Sequence, residues 1–99
     1  MVDEDTGVVQ AMLERLNKYR LPRALELKAR VDAGGRLAEY DIEFLERVFA
    51  DAYSARSLIA KHPELQRLAS QLAGLYCDIA SKALENEEKY FAKGGKNVE

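Results

Sequence analysis

Apolar residues recur every three or four positions between Ile42 and Ile59, and polar residues occupy the opposite side of the chain. This spacing is typical of an amphipathic helix. Asp41 precedes the pattern and has the short carboxylate that suits an N-cap. Pro63 cannot continue the helix but suits the first position of the next one. The pattern therefore predicts a helix from Asp41 to Lys61.

A second, longer helix is predicted from Pro63 to about Lys93. Its apolar arc is wide, because further residues extend the main seam to one side: Ala69, Ala73, Tyr76, Cys77, Ala80 and Leu84. The seam is Leu65, Leu68, Leu72, Leu75, Ile79 and Ala83. A wide arc indicates contact with more than one neighbouring helix.

The second predicted helix is too long for the first to cover it along its whole length. At about 1.5 Å per residue the first spans roughly 30 Å and the second roughly 46 Å. When the two fold back on each other, the second helix overhangs the first by about ten residues. Leu84, Tyr90 and Phe91 lie in this overhang. We expect them to need cover from the N-terminal helices or from another chain.

The N-terminal part predicts two shorter helices. The first covers residues 6–20, and Leu21-Pro22 should break it, because the residue before a proline disfavours the helical conformation. The second runs to about Ala33, where Gly34-Gly35 ends it through a left-handed conformation. No period-two alternation persists, so no strand is expected. The predicted fold is all-α and bundle-like, with two short N-terminal helices packed on a long antiparallel helical hairpin.

The composition of the chain restricts its domain number, its partners and its compartment. Ninety-nine residues, 47% hydrophobic and 32% charged, predict one soluble helical domain over 1–99, with flexible tails at 1–5 and 94–99. The net charge of −2 gives no general attraction to nucleic acid or to anionic membranes. Cys77 is the only cysteine, which favours a reducing compartment. The start lacks a signal peptide, and no apolar run approaches the roughly 20 residues that span a bilayer, so we expect a cytoplasmic protein.

One segment departs from the overall charge. Residues 15–36 hold seven basic residues against two acidic ones, which suggests a surface for nucleic acid or a phosphorylated ligand. The candidate anion-binding residues are Lys18, Arg20, Arg23, Lys28 and Arg30. The helix after the glycine pair begins with Asp41, Glu43 and Glu46, whose carboxylates would face phosphates and so oppose DNA binding. The other interpretation is a solvated basic face.

Arg56 is the most conspicuous single charge. It falls in the middle of the apolar arc of its predicted helix, so it must reach solvent, pair with a carboxylate or meet an anion. Pairing across the bundle or a dimer interface is the favoured interpretation. Tyrosines at the borders of apolar faces suit interfaces as well. The candidate interface residues are Tyr53, Arg56, Leu84, Tyr90 and Phe91.

Residues for catalysis or metal binding do not form a recognisable pattern. His62 is the only histidine and has Ile59 three positions before it, so the Glu-x-x-His pattern of di-iron bundles is missing. Cys77 has no histidine at helical spacing. We therefore expect no cofactor, and an enzyme is the weakest hypothesis. The leading hypothesis is a self-associating interaction module, a homodimer or a binder of another protein, since dimers are the commonest oligomers.

Overall fold

The computed structural model describes residues 5–93 and confirms the all-α class. Its elements are α1 (Thr6–Arg15), a π-helical segment (Leu16–Arg20), α2 (Leu21–Asp32), α3 (Glu39–Ser54), α4 (Arg56–Lys61) and α5 (Pro63–Ala92). No strand occurs within this part of the chain. The predicted tails, apart from Asp5, lie outside the described residues. Asp5 itself is held, since its Oδ2 lies 3.2 Å from Lys61 Nζ and 3.3 Å from His62 Nε2.

The predicted break at Leu21-Pro22 is wrong, because the chain stays helical from residue 6 to residue 32. The helix passes the proline by widening its preceding turn: Leu21 N–H donates to the carbonyl of Leu16, five residues back. A π turn is one of the ways in which a helix absorbs a disturbance to its regular hydrogen bonds, such as the missing amide hydrogen of Pro22. The two short N-terminal helices are therefore one continuous rod.

Three rods lie side by side along the molecule. The first rod (residues 6–32) and α5 run in the same direction, since Asp5 contacts His62 at one end and Asn86 contacts Val31 at the other. The return rod, α3 and α4, runs the opposite way. The result is elongated, with extents of 63 × 21 × 19 Å and a Cα radius of gyration of 16.6 Å. A compact domain of about 100 residues has about 13 Å.

The return rod differs from its prediction at two places. It is interrupted at Ala55, where the backbone turns between α3 and α4. It also begins at Glu39, with Ala38 as the N-cap, so the prediction of Asp41 as N-cap is wrong. Asp41 lies three residues inside the cap, and its Oδ2 accepts a 2.8 Å hydrogen bond from the Ala38 N–H. A carboxylate at this position stabilises a helix start in the same way as a capping-box glutamate.

Asp41 also joins α3 to α2. Arg30 Nη1 donates to its Oδ2 at 2.6 Å and Arg23 Nη2 to its Oδ1 at 3.1 Å, while only 1% of Asp41 is exposed. Burial raises the pKa of Asp41, but the Ala38 N–H and the two guanidinium groups outweigh it and hold that pKa below its ordinary value. The Arg23 guanidinium also lies 4.7 Å from the ring centre of Phe44.

The hydrophobic core occupies only the half of the bundle around α2. It is built from three buried residues of each of three helices: Ala24, Leu27 and Val31 of α2, Phe44, Leu45 and Val48 of α3, and Tyr76, Ile79 and Ala83 of α5. By contrast, α1 contains no buried residue. The two ends of the molecule therefore differ: one is closely packed, and the other has a loosely covered apolar surface.

The corner after α2 fastens the far end of α5. Gly34 has φ +93°, and Gly35 N–H donates to the Arg30 carbonyl at 2.8 Å, which is the Schellman termination that the glycine pair predicts. The side-chain amide of Asn86, 5% exposed, donates to the carbonyls of Val31 and Gly35, both at 2.8 Å. This contact holds α5 against the end of the first rod, near the level at which α3 begins.

Candidate functional site

The outward face of α5 has a central stretch without charged side chains. Between Arg67 and Glu85, which are both exposed, its side chains are small, polar or apolar, apart from Asp78 at the edge of the face. We call the central part of this face the outer strip. It consists of Ala73, Gly74, Cys77, Ala80, Ser81 and Leu84, all of which are exposed. Nothing lies within 4 Å of a Cβ placed on Gly74, so the strip is open to an approaching chain.

The predicted overhang of α5 is only partly covered. Arg36 of the corner lies with its guanidinium 3.8 Å from the ring centre of Tyr90 and pairs with Glu87. Tyr90 is consequently 38% exposed, whereas Leu84 and Phe91 are 63% and 62% exposed. The corner after α2 therefore partly shelters one of the three predicted interface residues on this helix and leaves the other two in solvent.

Tyr53 and Arg56 form a separate pair at the junction of α3 and α4. Arg56 Nη1 donates to the Tyr53 carbonyl at 2.7 Å, and its guanidinium lies 3.9 Å from the centre of the Tyr53 ring. Arg56 is exposed, because the turn at Ala55 directs it away from the apolar arc in which a continuous helix would have placed it. The structure does not bring this pair together with Leu84 and Phe91, which lie toward the other end of the bundle.

Most of the candidate anion-binding residues already contact carboxylates of the same chain. Arg20 pairs with Asp51, Lys28 pairs with Asp32 at 2.6 Å, and Arg23 and Arg30 share Asp41. The Lys18 ammonium lies 5.9 Å from the ring centre of Tyr19. A phosphate on this surface would have to compete with those carboxylates, so the segment is less available than its charge count indicates.

A large apolar groove, which the sequence did not predict, lies between α1 and the other two rods. Its volume is about 690 Å³. Its walls are mainly aliphatic, and include Val9, Met12, Leu16, Leu58, Leu68 and Leu72. Tyr76 and Arg20 lie at the end of the groove nearest the core. Helical periodicity identifies which face of α1 is apolar, but it contains no information on how closely that face approaches its neighbours.

The described residues offer neither a metal site nor a membrane span. Between residues 5 and 93, no three His, Cys, Asp or Glu side chains are grouped so that they could hold a metal ion. No helix in the described part of the chain is long and apolar enough to span a membrane. No protein-family model matches the chain, and neither a curated protein nor a solved structure is significantly similar to it.

Proposed function

We propose that this protein is a self-associating helical module in which the outer strip of α5 packs against the same strip of a second copy. The observation that carries the proposal is the outer strip of α5, whose six residues are all exposed and uncharged. Apolar helix faces of this kind are normally buried against another helix. Leu84 and Phe91, both more than 60% exposed, add large apolar area at one end.

The side chains of the strip suit a copy of themselves. Small residues let two helix axes approach to the lower end of the usual range of about 8–10 Å. In a two-fold dimer the same patch meets itself, so a bulky residue on one copy needs a small residue opposite it on the other. An antiparallel pair with its axis near Cys77 places Leu84 of each copy close to Ser70 of the other.

Charge favours the same antiparallel arrangement. Arg67 and Glu88 lie at opposite ends of the exposed side of α5. In an antiparallel pair each Arg67 approaches the Glu88 of the second copy, whereas in a parallel pair like charges would lie side by side. The midpoint between these two positions is again beside Cys77. Cys77 is an exposed free thiol, which suits a reducing compartment such as the cytoplasm.

Light scattering coupled to size exclusion, over a series of concentrations, tests the proposal. The wild-type mass should rise from 11.1 kDa toward twice that value at high micromolar concentration. Leu84→Lys should keep the chain monomeric, because it places a charge within the buried strip. Leu25→Lys is the matched control, since Leu25 is 52% exposed on α2, away from the strip. A wild type that stays at the monomer mass, or two variants that behave alike, would rule out the proposed dimer.

A further inference from the structure

The most unusual polar atom of the fold is the hydroxyl of Tyr76. The residue is 3% exposed, and its hydroxyl oxygen has no hydrogen-bond partner within the described range 5–93. Buried tyrosine hydroxyls usually have one, because an unsatisfied polar group in an apolar environment costs free energy. The Tyr76 ring is fixed by an edge-to-face contact with Phe49, whose ring centre lies 5.9 Å away. Tyr76 lines the apolar groove, so a molecule bound there would lie beside this buried, unpaired donor.

The groove has the size and lining of a ligand site. Pockets for small molecules usually measure about 300–1,000 Å³ and are mostly apolar, with a few polar groups that fix orientation. This groove, at about 690 Å³, falls within that range. Along α5 it extends from Tyr76 to Leu65, which corresponds to about 17 Å of helix. A long, narrow apolar space with one polar end suits an extended alkyl chain better than a compact ring system.

The polar end of the groove is formed by an ion pair, since Arg20 and Asp51 both line it. Arg20 also acts electrostatically on the Tyr76 hydroxyl. Burial raises the pKa of Tyr76, and Arg20 only partly opposes this, so the hydroxyl remains a proton donor at neutral pH. Arg20 pairs with Asp51, but a guanidinium has five N–H donors and can serve a second acceptor. Arg15 also lines the groove. The hydroxyl donor and two arginines, against the one carboxylate of Asp51, favour an anionic head with hydrogen-bond acceptors.

We propose that the groove binds one long-chain carboxylate, such as a fatty acid. The carboxylate accepts hydrogen bonds from the Tyr76 hydroxyl and the Arg20 guanidinium, and the alkyl chain lies between α1 and α5 toward Leu65. The groove and the outer strip adjoin at Ala73, but Leu84 lies about two helical turns beyond Tyr76 and does not line the groove. Because α1 contains no buried residue, little close packing has to be broken to admit an alkyl chain on that side of the groove.

Isothermal titration calorimetry with dodecanoate, below its micellar concentration, tests the site. Wild type should bind one dodecanoate per chain, and dodecan-1-ol, which lacks the charge, should bind at least about tenfold more weakly. Tyr76→Phe should weaken dodecanoate binding about tenfold or more, in line with a lost hydrogen bond to a charged group. Tyr53→Phe is the matched control, because the Tyr53 side chain is 67% exposed and outside the groove. Ala69→Phe, which fills the groove, should abolish binding.

The unliganded proteins provide the second measurement. Because the Tyr76 hydroxyl has no partner to lose, Tyr76→Phe should not lower the thermal midpoint of the free protein, so weaker binding by this variant would not reflect misfolding. Leu84→Lys should bind dodecanoate as wild type does, which separates this site from the proposed dimer. Four results would each overturn the proposal: no saturable binding of dodecanoate, equal binding by Tyr76→Phe, equal binding of the alcohol, or a groove occupied by a second copy that Ala69→Phe displaces.

Discussion

Asp41→Asn is the substitution whose effect follows most directly from the contacts. The change keeps the shape of the side chain but removes its negative charge. Two arginines and the Ala38 N–H donate hydrogen bonds to that charged group. Hydrogen bonds to a charged group contribute about 1.5–3 kcal/mol each. The side chains of Arg23 and Arg30 are 33% and 35% exposed, so hydrogen bonds to water replace part of the hydrogen bonding to Asp41 that they lose. We therefore expect the free energy of unfolding to fall by about 2–3 kcal/mol.

Urea and thermal denaturation followed by circular dichroism measure this loss. For a chain of this length the entropy of unfolding is about 0.2 kcal/mol/K, so the Tm should fall by roughly 10–15 °C. Asp32→Asn is the matched control, because its carboxylate is 49% exposed and, among residues 5–93, pairs with Lys28 alone. That variant should lose less than about 1 kcal/mol. Equal losses in the two variants would refute the central role of Asp41 in joining α2 to α3.

The pH dependence provides an independent check of the same contacts. The pKa of Asp41 is lower in the folded protein than in the unfolded chain, so its ionised form stabilises the fold at any pH above the unfolded value of about 3.9. This stabilisation disappears as the pH falls through the folded pKa. The stability difference between wild type and Asp41→Asn should therefore be constant near neutral pH and shrink below about pH 4. A difference that stays constant down to pH 2 would contradict the assignment.

The remaining predictions concern the corner between α2 and α5. Asn86→Ala should lower the free energy of unfolding by about 2–3 kcal/mol, because it leaves the carbonyls of Val31 and Gly35 without their donor. Urea denaturation measures this loss. A loss under about 0.5 kcal/mol would show that water replaces the amide. Gly35→Ala should be more destabilising than Gly34→Ala in the same assay, although only Gly34 has a positive φ, because a Cβ on Gly35 would lie 2.8 Å from the Arg30 carbonyl oxygen. The opposite order would mean that the corner relaxes easily.

Periodicity and terminating residues predicted much of the helical layout. The start of α5 at Pro63 and the end of α2 before the glycine pair follow from chemistry that acts over a few residues, so the sequence suffices for them. Pro22 illustrates where local rules fail, because a wider turn and the packing of α2 against α5 keep the rod continuous. The predicted helix start at Asp41 lies three residues after the observed N-cap, Ala38, for a related reason. A carboxylate stabilises a helix start from the cap or from three positions inside it, and distant arginines determine which.

The candidate surfaces were predictable to different extents. Leu84 and Phe91 could be identified because helix lengths and periodicity indicate which apolar residues lack a neighbour. The exposure of Arg56 could not, since it depends on the turn at Ala55, which no proline or glycine marks. The Tyr76 hydroxyl and its groove were also missed. Whether a tyrosine hydroxyl finds a partner depends on distances between helices, and a pattern along one chain contains no such distances.

Disulfide trapping through Cys77 tests the proposed contact between two outer strips most directly. With helix axes about 8–10 Å apart, the two Cys77 residues beside the two-fold axis come within the Cα separation that a disulfide requires. Under mild oxidation at micromolar concentration, wild type should form a covalent dimer rapidly. A Cys77→Ser variant whose only cysteine comes from Gln71→Cys, exposed but outside the strip, should react slowly. Equal and slow cross-linking of both proteins would contradict the association of α5 with itself.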